Sequence, residues 1–339
     1  MAERATVQLL VPGALGPWPE ATEAGFPLPQ TPSLRRLLAV ADRGLARADL
    51  YGLSWDLFGL RFDADAGPPT APLSRIGDGF ASDDHYWLRA DPVHLIADLQ
   101  TLRLAEPAWL DLLPEEADAL ATTASELLEV VGATLELATP HRWYLRLAQD
   151  PGLRTRHWAN AVDAGAEDLL PTGPGAPAWR RLLTEVQMAL AVDPVNDQRE
   201  QRGAPPVNGL WVWGGGRMPH PVARCPVTAL CAADPILVGL ARLCDVTECA
   251  DFGAATNSAG NLLVHDDAAT IPARERALEA WIEALEELER RYFEPLLRAL
   301  RGGTVDCVEL YPLRGTSYRI RRRMLRRFWR SDPSLCSYL

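Results

Sequence analysis

The chain has 339 residues, 47% of them hydrophobic, a formal net charge of −11 and no lysine, so that all 34 basic residues are arginine. That apolar fraction over this length supports a large buried core and excludes a disordered chain. The missing lysine excludes Schiff-base, Walker-type and lysine-base enzymes, and the acidic balance excludes a generalised nucleic-acid binder, whose phosphate contacts need a basic face. No apolar run of about eighteen residues and no basic-then-apolar N-terminus stand in the sequence, so neither a membrane span nor a signal peptide is expected, and the expected compartment is the cytoplasm.

In chain order, Val7–Val11 is a short apolar run stopped by Pro12-Gly13, the pattern of a buried strand ending at the carboxyl edge of a sheet. Thr31 to Gly44 reads as a capped helix with Pro32 in its first turn, Leu34, Leu37 and Leu38 on its apolar face, and Gly44 as its stop. Tyr86 to His94 reads as a strand. Helices are expected over Pro114–Val131 and Ala178–Ala191, around strands Thr134–Leu137 and Trp143–Leu147. Leu210–Trp213 is expected as a strand before Gly214-Gly-Gly216, Thr228–Leu243 as a helix and Asn261–His265 as a strand. Arg274–Leu300 carries a 3.6-residue apolar stripe (Leu278, Trp281, Ile282, Leu285, Leu288, Tyr292, Phe293) and reads as one long helix, followed by a strand over Val305–Leu310.

The C-terminal Arg319–Arg330 puts Ile320, Met324 and Phe328 on one face of an expected helix with arginines around it. Its favoured partner is internal, the acidic helix around Glu283, Glu286, Glu287 and Glu289. Cys225, Cys231, Cys244, Cys249, Cys307 and Cys336 form no C-x-x-C pair and read as free thiols; a zinc site from the first four is disfavoured by irregular spacing. No cofactor is expected.

The stretch from Asp193-Pro-Val-Asn through Arg199, Pro205-Pro-Val-Asn208 and Trp211-Val-Trp-Gly-Gly-Gly-Arg217 resembles the archaeal-type, cofactor-independent phosphoglycerate mutases of the alkaline phosphatase superfamily, where a pattern like HPVNxxRxxxGxxPANxIWxWGxGR precedes a core strand. Thr31-Pro-Ser-Leu34 and Pro69–Ser74 followed by Tyr86–His94 are similar to further family segments, and Arg89 falls on the family's arginine. The resemblance implies an α/β, alkaline-phosphatase-like layered core with a mostly parallel sheet, interrupted by a smaller α+β lid-like insert. The expected division is core over 1–101, insert over 102–204 and core over 205–339. Within the superfamily the chain looks closest to a degenerate bacterial branch of phosphoglycerate-mutase-like or RpfE-type regulatory proteins.

Two-metal phosphomutases hold their ions with carboxylates and histidines, and one ion activates a serine to take the phosphoryl group. The family's Pro-Asp-Gly is here Pro12-Gly13, so that aspartate is absent. Aligning the family's LFGY with Leu57–Leu60 puts the nucleophile near Leu50; Ser54, four residues on, is a weak alternative read as a loop serine. The family's acid-and-histidine pair is replaced by His265-Asp266-Asp267, at most a single weak metal site, and its final Asp-His by Glu309-Leu-Tyr-Pro312. Arg89, Arg142, Arg199, Arg202 and Arg217 remain as a candidate anion site, expected to converge in the cleft between core and insert, with His94 as a weak acid/base candidate. The expected function is a mutase-like protein that has lost two-metal phosphoryl transfer and serves as a regulatory or phospho-ligand-binding protein. An active metal-dependent mutase or phosphatase with a rearranged site, and a pure protein-interaction module, are the alternatives. The expected partners are a phosphorylated small molecule or a protein.

Overall fold

The computed structural model describes residues 5–16, 28–63, 67–97, 102–105, 110–157, 170–250, 252–256, 260–327, 329–330, 335 and 338. In chain order the strands and helices begin with β1 (Thr6–Leu10), α1 (Pro32–Val40), β2 (Asp42–Leu45), α2 (Leu50–Phe58), α3 (Thr70–Gly77), β3 (Tyr86–Ala97) and β4 (Leu102–Ala105). They continue through α4 (Pro114–Leu128), β5 (Thr134–Thr139), β6 (Arg142–Leu147), α5 (Ala176–Ala191), α6 (Pro194–Gln201) and β7 (Gly209–Gly216). The last third comprises β8 (Ala229–Cys231), α7 (Pro235–Leu243), β9 (Thr247–Glu248), α8 (Phe252–Ala255), β10 (Asn261–His265), α9 (Thr270–Arg274), α10 (Leu278–Leu288), α11 (Glu294–Gly302), β11 (Cys307–Tyr311) and β12 (Thr316–Arg321). No helix among the described residues is long and apolar enough to cross a membrane.

The chain divides into two compact units, Met1–Arg61 with Pro221–Leu339, and Phe62–His220. In the first, a seven-stranded sheet has the order β2-β12-β11-β1-β10-β8-β9. β11, β1, β10, β8 and β9 run parallel, and β12 and β2 close one side antiparallel. Along β1 the side chains of Val7 and Leu9 enter the core while Thr6 and Gln8 face the other way, the alternation a pleated strand imposes. The expected apolar stripe is the core face: Trp281, Leu285, Leu288, Tyr292 and Phe293 are buried against α1 and β1, with Leu278 and Ile282 packed at its margin. The long helix is interrupted rather than continuous. Arg276 at φ 55° separates α9 from α10, and a π-turn over Glu289–Phe293 joins α10 to α11.

The second unit carries the other sheet. β3 pairs along one edge with β6 through Tyr86–Arg89 and with β4 through His94–Ala97, along the other with β7, and β5 completes the sheet on β6; every pairing is antiparallel. The expected boundaries at 101/102 and 204/205 differ from these units for this reason. β3 and β7 hydrogen-bond to each other and β3 also to β6 and β4, so a cut between them and the insert would sever a ladder. The Gly214-Gly-Gly216 run serves packing: at φ 67°, a Cβ on Gly214 would lie 2.3 Å from Thr70 Oγ1, and one on Gly216 2.3 Å from Pro69, so only glycines let α3 lie against β7.

Three local expectations are corrected. Helix α1 ends at Val40, and Asp42–Leu45, including Gly44, is strand β2 on the edge of the parallel-sheet unit. Thr228–Leu243 is a strand followed by a helix, with Asp234 capping α7 through Ile236 N (2.8 Å) and Leu237 N (3.0 Å). Arg319–Arg326 is not helical in the expected sense: β12 runs to Arg321 and a 3₁₀ turn covers Arg322–Arg326, because Tyr318 and Ile320 alternate into the core as strand residues do. Phe328 and Cys336 lie outside the described residues. The acidic helix has a different partner from the expected one: among the described residues no ion pair joins it to Arg319–Arg330, and its carboxylates meet α1. Glu289 accepts from Ser33 N (2.7 Å) and Leu34 N (3.0 Å), and Glu286 from Gln30 N (3.0 Å), placing carboxylates on the positive end of α1. Arg327 and Arg330 donate to the carbonyls of Val40 (2.9 Å) and Ala41 (3.1 Å) at its negative end.

Candidate functional site

The motif positions implied by the resemblance meet at the carboxyl edge of the parallel sheet. Val11 N donates to Tyr311 O (3.0 Å) and Asp266 N to Leu10 O (3.1 Å), which ties the ends of β1, β10 and β11 together. Gly13 has φ 78°, and a Cβ there would lie 2.3 Å from Ala269 O, so the turn accepts no side chain without moving the backbone. Its carbonyls are occupied: Trp281 Nε1 donates to Gly13 O (2.8 Å) and Thr270 Oγ1 to Pro12 O (3.3 Å).

Asp266 is turned into the protein. Its carboxylate accepts from Tyr292 OH (3.0 Å), Arg291 Nη1 (3.1 Å) and Ala268 N (3.0 Å). Burial and then the Asp266 charge push the Tyr292 phenol far above its ordinary range, so it stays a donor to Asp266. Asp267 is exposed, while His265 is buried with its Nε2 lacking a hydrogen-bond partner. Glu309 sits in mid-strand, where it accepts from Gln8 Nε2 (3.1 Å), Tyr311 OH (2.8 Å) and Arg319 Nε (2.7 Å).

Ser54 is not a loop residue, as the sequence suggested, but part of α2. It is fully buried, and its Oγ donates to Leu50 O at 2.7 Å, the i−4 back-bond of a helical serine. Leu50 itself opens α2 behind its cap Asp49, which accepts from Gly52 N (2.5 Å). A two-metal centre requires clustered carboxylates and imidazoles. Among the described residues no three His, Cys, Asp or Glu lie together as such a cluster, and Asp266 is already paired with a guanidinium. The described residues therefore do not fit a metal pair.

The five sequence-predicted arginines all fall in the antiparallel-sheet unit, in separate networks. Arg89 and Asp91, two residues apart on one face of β3, form a buried pair: Arg89 donates to Asp91 through Nε (3.0 Å) and Nη2 (2.7 Å) and to Ser74 Oγ through Nη1 (2.9 Å). Trp213 Nε1 (2.8 Å) completes the Asp91 shell, and the guanidinium stands 5.3 Å from the Tyr144 ring and 5.0 Å from Trp213. Ser74 and Tyr144 are joined at 2.6 Å, Tyr144 OH donates to Asp78 (2.6 Å), and Arg142 binds Asp78 bidentately at 3.0 and 2.8 Å. The structure thus brings Arg89 and Arg142 into one chain of hydrogen bonds with a carboxylate beside each.

Arg199 and Arg202 form the second network around Glu116. Arg199 is fully buried and donates to Glu116, to Leu110 O and to Pro205 O (2.8 Å); Arg202 donates to Glu116 (3.0 Å) and Asp111 (2.7 Å). Arg217 donates to Asp84 O and to Ala148 O (3.0 Å). His94 is half-buried on β3, its Nδ1 without a partner. Burial holds its pKa below the ordinary range, with the Arg199 charge adding to that and a bond to the Pro206 carbonyl opposing it.

Sequence reading missed Asp78, Asp91, Glu116, Ser74 and Tyr144. Only Asp91 left a signal, the i, i+2 spacing from Arg89 that places both on one face of a strand.

No family model matches the chain. A sequence relative, the 2,3-bisphosphoglycerate-independent phosphoglycerate mutase of Methanosarcina acetivorans, is 26% identical over 185 residues, 44% of this chain. The match spans 47%, about half, of that relative's length. The solved structure of the PH0037 protein from Pyrococcus horikoshii superposes with a TM-score of 0.52 at 14% identity, covering 91% of this chain and 82% of that one. The cofactor-independent phosphoglycerate mutase of Thermoplasma acidophilum gives a TM-score of 0.48 at 18% identity, covering 100% and 95%. The mixed α/β fold is thus shared with a solved structure, and in motif and in sequence relative the chain resembles the cofactor-independent phosphoglycerate mutases of the alkaline phosphatase superfamily.

Proposed function

We propose that this phosphoglycerate-mutase-like chain does not perform two-metal phosphoryl transfer and acts by binding, as a regulatory or phospho-ligand-binding protein. One observation carries the reading: the positions where the resemblance sets metal ligands and nucleophile are occupied by packing contacts. Gly13 has no room for a side chain, Asp266 is held by Tyr292 and Arg291, and Ser54 is bonded to Leu50 O in a helix interior. A metal pair would have to break the Asp266 contacts, and a nucleophilic serine would have to leave α2.

Phospho-ligand recognition by the five arginines has a specific geometric requirement. Arg142 and Arg202, about a third exposed at 35% and 31%, are the solvent-reachable arginines of their networks, and an anion arriving there displaces Asp78 or Asp111. Metal analysis of the purified chain together with a phosphoglycerate interconversion assay tests the first part. The expected result is no stoichiometric manganese or zinc and no turnover; two metals per chain with manganese-dependent turnover would overturn it. Thermal stabilisation by 3-phosphoglycerate, abolished by Arg142→Gln, is the expected result for the second. No stabilisation of the parent protein would remove these arginines as its ligand site and favour a protein-interaction role.

A further inference from the structure

A strongly basic groove lies at the amino edge of the parallel sheet; of the motif positions, Glu309 in mid-strand β11 reaches it, while Gly13 and Asp266 stand at the carboxyl edge. Its floor is set by register: Thr6 at the start of β1 pairs with Cys307 at the start of β11, and Cys307 with Arg321 at the end of β12. Because Tyr318 and Ile320 are drawn inward, the strand alternation turns Arg319 and Arg321 to the opposite face. The 3₁₀ turn buries Met324 and leaves Arg322, Arg323 and Arg326 exposed around it, and Arg301 joins them from the last turn of α11. The result is a cavity of about 1110 Å³ lined by six arginines against two acids, Asp306 and Glu309, on a chain whose net charge is −11.

Internal contacts neutralise little of this charge. Glu309 takes Arg319 at 2.7 Å, and Arg322 Nη2 donates to Arg301 O at 3.5 Å. Among the described residues Arg301, Arg321, Arg322, Arg323 and Arg326 form no ion pair. Gathering guanidinium groups round one hollow is repulsive until an anion occupies it. Guanidinium forks match phosphate oxygens two at a time. The volume suits a small molecule, pockets for which run to about 1,000 Å³. Among the described residues no aromatic ring lines the groove for a base to stack on, and Leu325 is the one large apolar side chain there, too little for a membrane to hold.

We propose that this groove binds a short polyphosphate chain, recognised through its phosphates alone. The chemistry is shared by inorganic triphosphate and by the triphosphate tail of a nucleotide. The inference is independent of the reading of the carboxyl edge.

The test is calorimetric titration of the full chain at low salt with inorganic triphosphate, ATP, orthophosphate, a single-stranded oligonucleotide and phosphatidylserine vesicles. Triphosphate is expected to bind, and orthophosphate at least about 100-fold more weakly, since it engages fewer forks at about tenfold per charge-assisted contact. ATP binding within a few-fold of triphosphate assigns the site to the phosphate tail, and much weaker ATP binding assigns it to free polyphosphate. Arg321→Gln with Arg323→Gln and Arg326→Gln should weaken triphosphate by about 100-fold or more, with the urea midpoint unchanged because all three side chains are exposed. The single Arg323→Glu, which disturbs less, should weaken it in the same direction. Absence of triphosphate binding, undiminished binding in both variants, or tighter binding of oligonucleotide or vesicles than of triphosphate would overturn the proposal.

Discussion

Replacing Asp91 with alanine should destabilise the antiparallel-sheet unit by about 3–5 kcal/mol, the range for removing one partner of a buried ion pair. The side chains of Arg89 and Asp91 are 6% and 1% exposed. Truncation strands two guanidinium donors, the Trp213 indole N–H and the weaker Trp143 N–H contact at 3.4 Å. Arg89 would retain Ser74 and the two aromatic faces, and cation–π contacts of about 0.5–2 kcal/mol cannot replace a carboxylate. Urea unfolding followed by tryptophan fluorescence reads this directly, since Trp213 touches the pair. With a slope of about 2 kcal/mol per molar, the midpoint should fall by roughly 1.5–2.5 M. The double variant Arg89→Leu/Asp91→Leu should recover most of the loss, because an apolar pair strands no charge. A single variant within about 0.5 kcal/mol of the parent, or a double variant whose loss is the sum of the singles, would refute the account of Arg89 as an internally compensated charge.

Burial pushes the Glu116 carboxyl up, but Arg202, Leu113 N–H and Arg199 hold it below its ordinary 4.5. Its stabilising contribution is therefore present above about pH 4.5 and lost as pH falls through the lower folded-state value; Glu116→Gln should flatten acid denaturation below about pH 4.5. Glu289→Ala should lower stability by about 1–3 kcal/mol in thermal melts by leaving Ser33 N and Leu34 N buried without an acceptor, and an unchanged melting curve would refute the capping role. The Cys244 thiol, hydrogen-bonded to Cys225, holds the Cys225 pKa down to about 7, against burial. Iodoacetamide should thus label Cys225 ahead of the other thiols, with a midpoint near that pH, and Cys244→Ala should move the midpoint up; labelling that ignores the variant would sink this pairing.

The central strands β1, β10 and β11 of the parallel-sheet unit were legible because they are short apolar runs, and its core helices because the stripe from Leu278 to Phe293 has one period. At the carboxyl edge the contacts made by the residues present were not legible: Arg291 and Tyr292 reach Asp266 from 25 and 26 residues away in sequence. Local propensity failed at Arg319–Arg330. The spacing of Ile320, Met324 and Phe328 fits a helix, but Tyr318 and Ile320 pair with β11 in a ladder, and tertiary pairing outweighed local preference. The unit boundaries were missed because β3 is twelve residues long and pairs with three strands at once, which a segment-by-segment reading cannot register.

The absence of lysine gives the arginines a common structural use. A planar fork can bridge several acceptors where an ammonium acts as a point charge, and this chain uses forks as internal cross-links: Arg199 across Leu110 and Pro205, Arg314 to Leu15 and Gly16, Arg327 to Val40 and Asp42. Each of these guanidinium groups meets a carbonyl or carboxylate supplied by the fold. Arg321, Arg323 and Arg326 are exceptions within the same C-terminal segment, directed into a groove whose carboxylate Glu309 already holds Arg319. Structural use explains the first group; in the second Arg321 reaches the Cys307 side chain, but among the described residues no carboxylate pairs with any of the three. With Asp306 and Glu309 the carboxylates that line it among the described residues, the remaining charge of the groove calls for an outside anion, a solvent counterion or the phosphates of a bound ligand.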